Sequence, residues 1–299
     1  MRPHSADHTE LLSERRPIDR LADYAKWRRG QVEWLLRTRL RGQRYPQPVV
    51  VLTTSRSGST WFCEAMSQAL RVGRIPEHLR PHHLQRVNDA QEPTNFLRSL
   101  IRETRAHIAS RHSGGTKIIW DDVPGILALQ SPNDLVDWLQ PLNELNPLWI
   151  RLVRQDRVAQ AVSRYRAANT GVFHHFTGYR LFAQKQPQVA ESRPDPEQLR
   201  YDFDRIYQHY AHLSAAENHL DEVINSVPWD VRRLVYEEVS KPPFSDLSHA
   251  IAAAASISVE AAGARINRIQ KDMNLAMTRS KVSQELTQQF SADLTASEL

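Results

Sequence analysis

The densest chemistry in the chain lies in seven consecutive residues, Thr54-Ser55-Arg56-Ser57-Gly58-Ser59-Thr60. Five hydroxyls, one guanidinium and one glycine in a row suit an anion, provided they open a helix. The first turn of a helix leaves backbone N–H groups without intrahelical acceptors, and the helix dipole adds partial positive charge there. Gly58 would let the backbone approach a ligand closely. Ser57, Ser59 and Thr60 would add hydroxyl donors, and Arg56 a planar fork matched to phosphate or sulfate oxygens. The same residues admit a second reading, an ordinary turn in which Ser57 or Ser59 caps the helix. The run lacks the G-x-x-x-x-G-K-[ST] pattern, so an ordinary ATP- or GTP-hydrolysing site is not expected.

The elements around this run predict how it is held. Val49-Val50-Val51-Leu52-Thr53, a short continuous β-branched run, predicts a buried parallel strand. Trp61 to Leu70 carries apolar residues at helical spacing, so the unit reads strand, tight loop, helix. Further strands are expected at Gly115–Trp120, Leu148–Val153 and Val231–Tyr236. Helices are expected at 158–168, 202–224 and, with basic character, 259–285. Alternation of strands and helices argues for an α/β fold with a three-layer, mostly parallel sheet flanked by helices. Residues 184–200, rich in Pro and Gln, read as a loop or lid.

Residues 10–42 predict an extra N-terminal helix, with Leu21, Trp27, Val32, Leu35 and Leu36 among arginines, broken by Tyr45-Pro46-Gln47-Pro48. Residues 1–46 carry 11 of the 39 Lys and Arg but 6 of the 34 Asp and Glu. The net charge of +5 therefore belongs to this extension, and the body, residues 47–299, is balanced. Nucleic-acid binding by the body is not suggested. The basic arm could lie against an acidic membrane face as a peripheral contact, or simply pack on its own domain or a second copy. A hydrophobic fraction of 40% supports a sizeable core. The single cysteine, Cys63, excludes an intrachain disulfide and a zinc site of paired cysteines. No apolar signal core is visible, and no run approaches the roughly 20 residues of a membrane span, so a cytoplasmic protein is expected.

Several motifs then agree in order and spacing with one family. Thr54 to Trp61 resembles the 5′-phosphosulfate loop of sulfotransferases, and with arginine in its first basic position it is most similar to the bacterial trehalose 2-sulfotransferase family. Val72-Gly73-Arg74-Ile75-Pro76-Glu77 follows the loop helix at that family's distance, and Gly115 to Trp120 resembles its Gly-x-Lys-apolar-apolar-Trp strand. Arg154-Gln155-Asp156-Arg157-Val158-Ala159-Gln160-Ala161-Val162-Ser163, continuing to Thr170-Gly171-Val172, resembles its 3′-phosphate segment. The likeness covers residues 48–240, roughly.

The resemblance implies a P-loop NTPase-like sulfotransferase fold and transfer of a sulfuryl group from 3′-phosphoadenosine 5′-phosphosulfate to a hydroxyl acceptor, without a metal. It assigns the donor to Arg56, Ser57, Gly58, Ser59, Thr60, Arg154 and Ser163, with Arg154 and Ser163 on its 3′-phosphate. It makes Glu77 the general base and Arg56 the group that meets charge on the leaving oxygen. It is also compatible with a homodimer. The acceptor residues do not carry over, so the expected acceptor is a carbohydrate, glycolipid or related small-molecule alcohol.

Other residues keep two readings. His78 is a second base candidate. Arg154 and Arg157, read without the likeness, would form a surface ion pair with Asp156. Lys117 reads as a residue flanking its strand. Trp120 and Phe173 could stack on a sugar or sit in the core. His174 and His175 could border the acceptor, whereas neither that pair nor His82-His83 is spaced to chelate a metal. Arg268 and Lys271 are candidates to close over the nucleotide. A nucleotide-dependent kinase and a non-catalytic sulfonucleotide-binding scaffold remain the competing functions.

Overall fold

The structure, a computed structural model, describes residues 46–77, 79, 93–110, 113–123, 126, 132–171, 199–270 and 281–297. The basic extension up to Tyr45, the expected lid through residue 198, and His78, His82, His83, Phe173, His174, His175 and Lys271 lie outside the described residues.

Four strands, β1 (Val49–Thr53), β2 (Gly115–Ile119), β3 (Leu148–Val153) and β4 (Val231–Val235), form one sheet in the order β2-β1-β3-β4. Every pairing is parallel. Among the described residues the helices are α1 (Ser59–Leu70), α2 (Pro93–Ala109), α3 (Pro132–Asn143), α4 (Arg157–Thr170), α5 (Phe203–Ser226), α6 (Tyr236–Val239), α7 (Ser245–Ala255), α8 (Val259–Gln270) and α9 (Lys281–Ser297). The expected α/β architecture is present. Two strands end one residue early: Trp120 opens a short 3₁₀ turn, Trp120–Asp122, and Tyr236 opens α6.

Parallel strands connected by helices are covered on both faces, and β1 shows the consequence. Its side chains alternate between two cores. Val49 and Val51 pack with Phe62, Met66 and Ile251 on the α1 and α7 side. Val50 and Leu52 pack with Ile118, Leu139 and Leu220 on the α2, α3 and α5 side. All four are essentially inaccessible to solvent. At about 1.5–3 kcal/mol for each fully buried side chain, these four anchor the strand whose end carries the loop. Trp120 is wholly buried against Trp138 and His219, its indole N–H donating to His219 Nδ1 at 3.1 Å, so it belongs to the core rather than to a sugar platform.

Register aims the charged residues of the sheet. Lys117 pairs with Val51 and so shares its α1-side face. Arg151 pairs with Leu52 and faces α5. Both are buried, which requires a partner for each.

Candidate functional site

The loop from Thr54 to Gly58 leaves β1 and delivers its backbone to the N-terminus of α1. The cap of α1 is Gly58 (φ 80°, ψ 7°), and no side chain caps that end of the helix. The capped-turn reading, with Ser57 or Ser59 as cap, therefore does not hold. Two other helices contrast with it: Asp156 accepts from Ala159 N at 2.9 Å to cap α4, and Asp202 accepts from Arg205 N at 3.1 Å to cap α5. The first intrahelical bond of α1 runs from Phe62 N to Gly58 O at 3.1 Å. Helix geometry leaves the amides of Ser59, Thr60 and Trp61 directed out of its end, where an anion is favoured. Glycine is required at position 58 twice over. Its φ is left-handed, and a Cβ there would lie 2.0 Å from the ring of Tyr236.

The loop is fixed from several sides. Ser57 is buried, with its hydroxyl accepting from that of Thr53 at 2.6 Å. Ser55 N donates to Asp121 Oδ1 at 2.6 Å, and Arg164 Nη1 donates to Ser55 Oγ at 2.6 Å while also pairing with Asp121. Gln160 Nε2 donates to Thr54 Oγ1 at 2.9 Å and to Ser55 O at 2.6 Å. The Thr54 hydroxyl donates to Glu217 of α5, which also pairs with Arg151 and, at 3.3 Å, with Arg157. Burial pushes the Glu217 carboxyl up, but Arg151, Arg157 and the Thr54 hydroxyl together hold it below its ordinary value. Arg157 thus turns inward to Glu217 and Gln160, and Asp156 caps its helix.

Three residues assigned to the donor by sequence meet at one place. Arg56 Nε donates to Ser163 Oγ at 3.0 Å, and Arg154 Nη1 donates to the Arg56 carbonyl at 2.9 Å. Arg56 has a left-handed φ of 62°, a conformation that costs a non-glycine residue about 1–2 kcal/mol. Such strain persists only where neighbours enforce it, here Arg154 through the carbonyl and Ser163 through the side chain. Burial first, then the charges of Arg154 and Arg166, press the Arg56 guanidinium down to about 10, still protonated near neutrality. Arg154 sits 6.0 Å from the Tyr236 ring centroid and 3.9 Å from Glu237. Glu237 in turn accepts from Gln155 N at 3.1 Å and Asp156 N at 3.2 Å, which fixes the turn bearing Arg154.

Glu77 reaches the loop through a residue that sequence reasoning placed aside. Lys117 N donates to Pro76 O at 2.9 Å, so the edge of β2 holds the segment that ends at Glu77. The Lys117 ammonium then lies 3.5 Å from Glu77 and donates to Thr60 Oγ1 at 3.0 Å. Both charged side chains are more than nine-tenths buried. One ammonium therefore spans the carboxylate and the first turn of α1. The signal was present in the sequence: a lysine in the middle of a buried strand must face a partner. Glu217, Arg164 and Glu237 carried no comparable mark. Arg268 lies on α8, which packs on α1, and its charge and that of Arg71 act on Arg265. Arg71 caps the C-terminus of α1, the end opposite the loop.

Taken together, the site offers an uncapped helix N-terminus for one anion, the Arg56–Arg154–Ser163 cluster for another, and a carboxylate beside the first. The family model described as Stf0 sulphotransferase matches residues 48–293. No match to a curated protein was found.

Proposed function

The chain belongs to the Stf0 sulphotransferase family, and from that premise we propose that it moves a sulfuryl group from 3′-phosphoadenosine 5′-phosphosulfate to a hydroxyl of a carbohydrate, glycolipid or related small-molecule acceptor. The observation that carries the donor assignment is the pair of anion sites joined by one residue. Arg56 belongs to the loop by its backbone and to Ser163 by its side chain. A nucleotide with phosphate groups at both its 5′ and 3′ ends matches two such sites, whereas AMP or adenylyl sulfate fills one. The missing Walker lysine and the family match weigh against the kinase reading.

In this reading the acceptor oxygen attacks sulfur as the S–O bond to the 5′-phosphate breaks. The acceptor proton passes to the Glu77 carboxylate, and 3′-phosphoadenosine 5′-phosphate departs with the bonding electron pair. In-line placement and neutralisation of developing charge supply the catalysis, as in phosphoryl transfer. Sequence reasoning gave the leaving-oxygen role to Arg56. Its Nε donates to Ser163 Oγ, and the first-turn amides of α1 and Lys117, the cation beside Glu77 and Thr60, would share that role. Lys117→Met is accordingly expected to lower kcat by about 10²-fold, the usual cost of one such donor, while leaving donor affinity within about threefold. Steady-state kinetics beside calorimetry reads both; a normal kcat would remove Lys117 from the chemistry.

Calorimetry also tests the donor assignment. The protein is expected to bind 3′-phosphoadenosine 5′-phosphate far more tightly than AMP. Equal affinities would sink the roles of Arg154 and Ser163.

A further inference from the structure

The face of α4 that bears Ser163 continues one turn later with Arg166. Residues three apart on a helix are neighbours, about 5–6 Å between Cβ atoms. Arg166 is half-buried, and its Nη1 donates to the Ser283 hydroxyl of α9. The partner residue comes from 117 positions further along the chain, and α9 packs along α4 with Leu286 and Phe290 in a shared core. Arg166 is therefore held from the far C-terminus at a fixed place beside the Arg56–Ser163 contact.

Its charge is felt there. After burial, Arg154 and then Arg166 are the causes that hold the Arg56 guanidinium down. The charges of Arg154 and Arg166 thus oppose that of Arg56 in the protein alone. A phosphomonoester dianion among them reverses the sign of that interaction, and guanidinium forks match its oxygens.

We propose that Arg166, fixed by Ser283, is a third guanidinium of the 3′-phosphate site, so that the C-terminal helix α9 takes part in selecting a 3′-phosphorylated nucleotide over one without that group. The inference rests on the donor reading given above. Within it, Arg166 is a specificity residue and Ser283 a positioning residue.

The test compares 3′-phosphoadenosine 5′-phosphate with AMP by calorimetry on the wild type, Arg166→Gln and Ser283→Ala. Arg166→Gln is expected to cut the wild-type preference by about tenfold or more, the scale of one charge-assisted hydrogen bond, by weakening only the 3′-phosphorylated ligand. Ser283→Ala keeps the guanidinium and is expected to cut it severalfold with an unchanged thermal midpoint. A high wild-type preference that survives both variants overturns the inference and leaves the donor reading standing. Equal loss of both ligands in Arg166→Gln assigns the residue to structure and also overturns it. A wild-type preference near one overturns the donor reading, and this inference with it.

Discussion

Glu77→Gln is expected to lower kcat by roughly 10²- to 10⁴-fold, the range of a general base, with donor affinity unchanged. The substitution keeps the size of the side chain and removes its ability to take a proton. It leaves the Lys117 ammonium its contact with Thr60 at 3.0 Å, so the first turn of α1 stays in place. Because the Glu77 side chain is 9% exposed and lies at the edge of the loop region, solvent is poorly placed to substitute as base. The measurement is turnover at saturating donor, beside calorimetry with 3′-phosphoadenosine 5′-phosphate. A kcat within about twofold of wild type would remove Glu77 as base. Loss of binding together with turnover would make it a structural partner of Lys117 instead.

The second large effect is on stability. Glu217→Leu removes the carboxylate that Arg151, Arg157 and the Thr54 hydroxyl share. Arg151 is 1% exposed on the central strand β3, and its remaining acidic partner is Asp221 at 3.0 Å. Removing one member of a buried pair costs about 3–5 kcal/mol, because the charge left behind is not resolvated. Denaturant unfolding is expected to show a loss of that size, and a cost below about 1 kcal/mol would mean the network is dispensable. The pH dependence gives an independent reading. The folded carboxyl lies below its ordinary value of 4.5. Its stabilisation is therefore complete above that pH and is lost as pH falls through the lower folded value. Wild type should lose this increment of stability in acid, and Glu217→Leu should lack that part of the slope.

These two residues mark what a single sequence could and could not convey. The strand, the loop and the helix it opens were legible because their pattern is local: a β-branched run, a glycine among hydroxyls, then apolar residues at helical spacing. Arg154 and Ser163 were assigned to the donor only by resemblance, since nothing in their own spacing shows that β3 and α4 return to the loop. Glu217 was not legible at all. It contacts Thr54 from 163 residues away, inside a helix where one more acidic residue looks like solvated surface. Lys117 sat in plain view but was read by its neighbours rather than by its register, which pairs it with Val51 and turns it toward α1. Arg56 was legible by its place in the loop, whereas its left-handed backbone and the bond of its Nε to Ser163 were not.

The most direct test of the account is transfer itself. Donor carrying radiolabelled sulfur is incubated with cell extract and either wild type or Glu77→Gln, and the products are separated and weighed by mass spectrometry. With wild type an acceptor is expected to gain label and one SO₃ unit, with equimolar release of 3′-phosphoadenosine 5′-phosphate, and with the variant almost no product is expected. Label that stays on the donor, or leaves only as free sulfate at the same rate with both proteins, would contradict it.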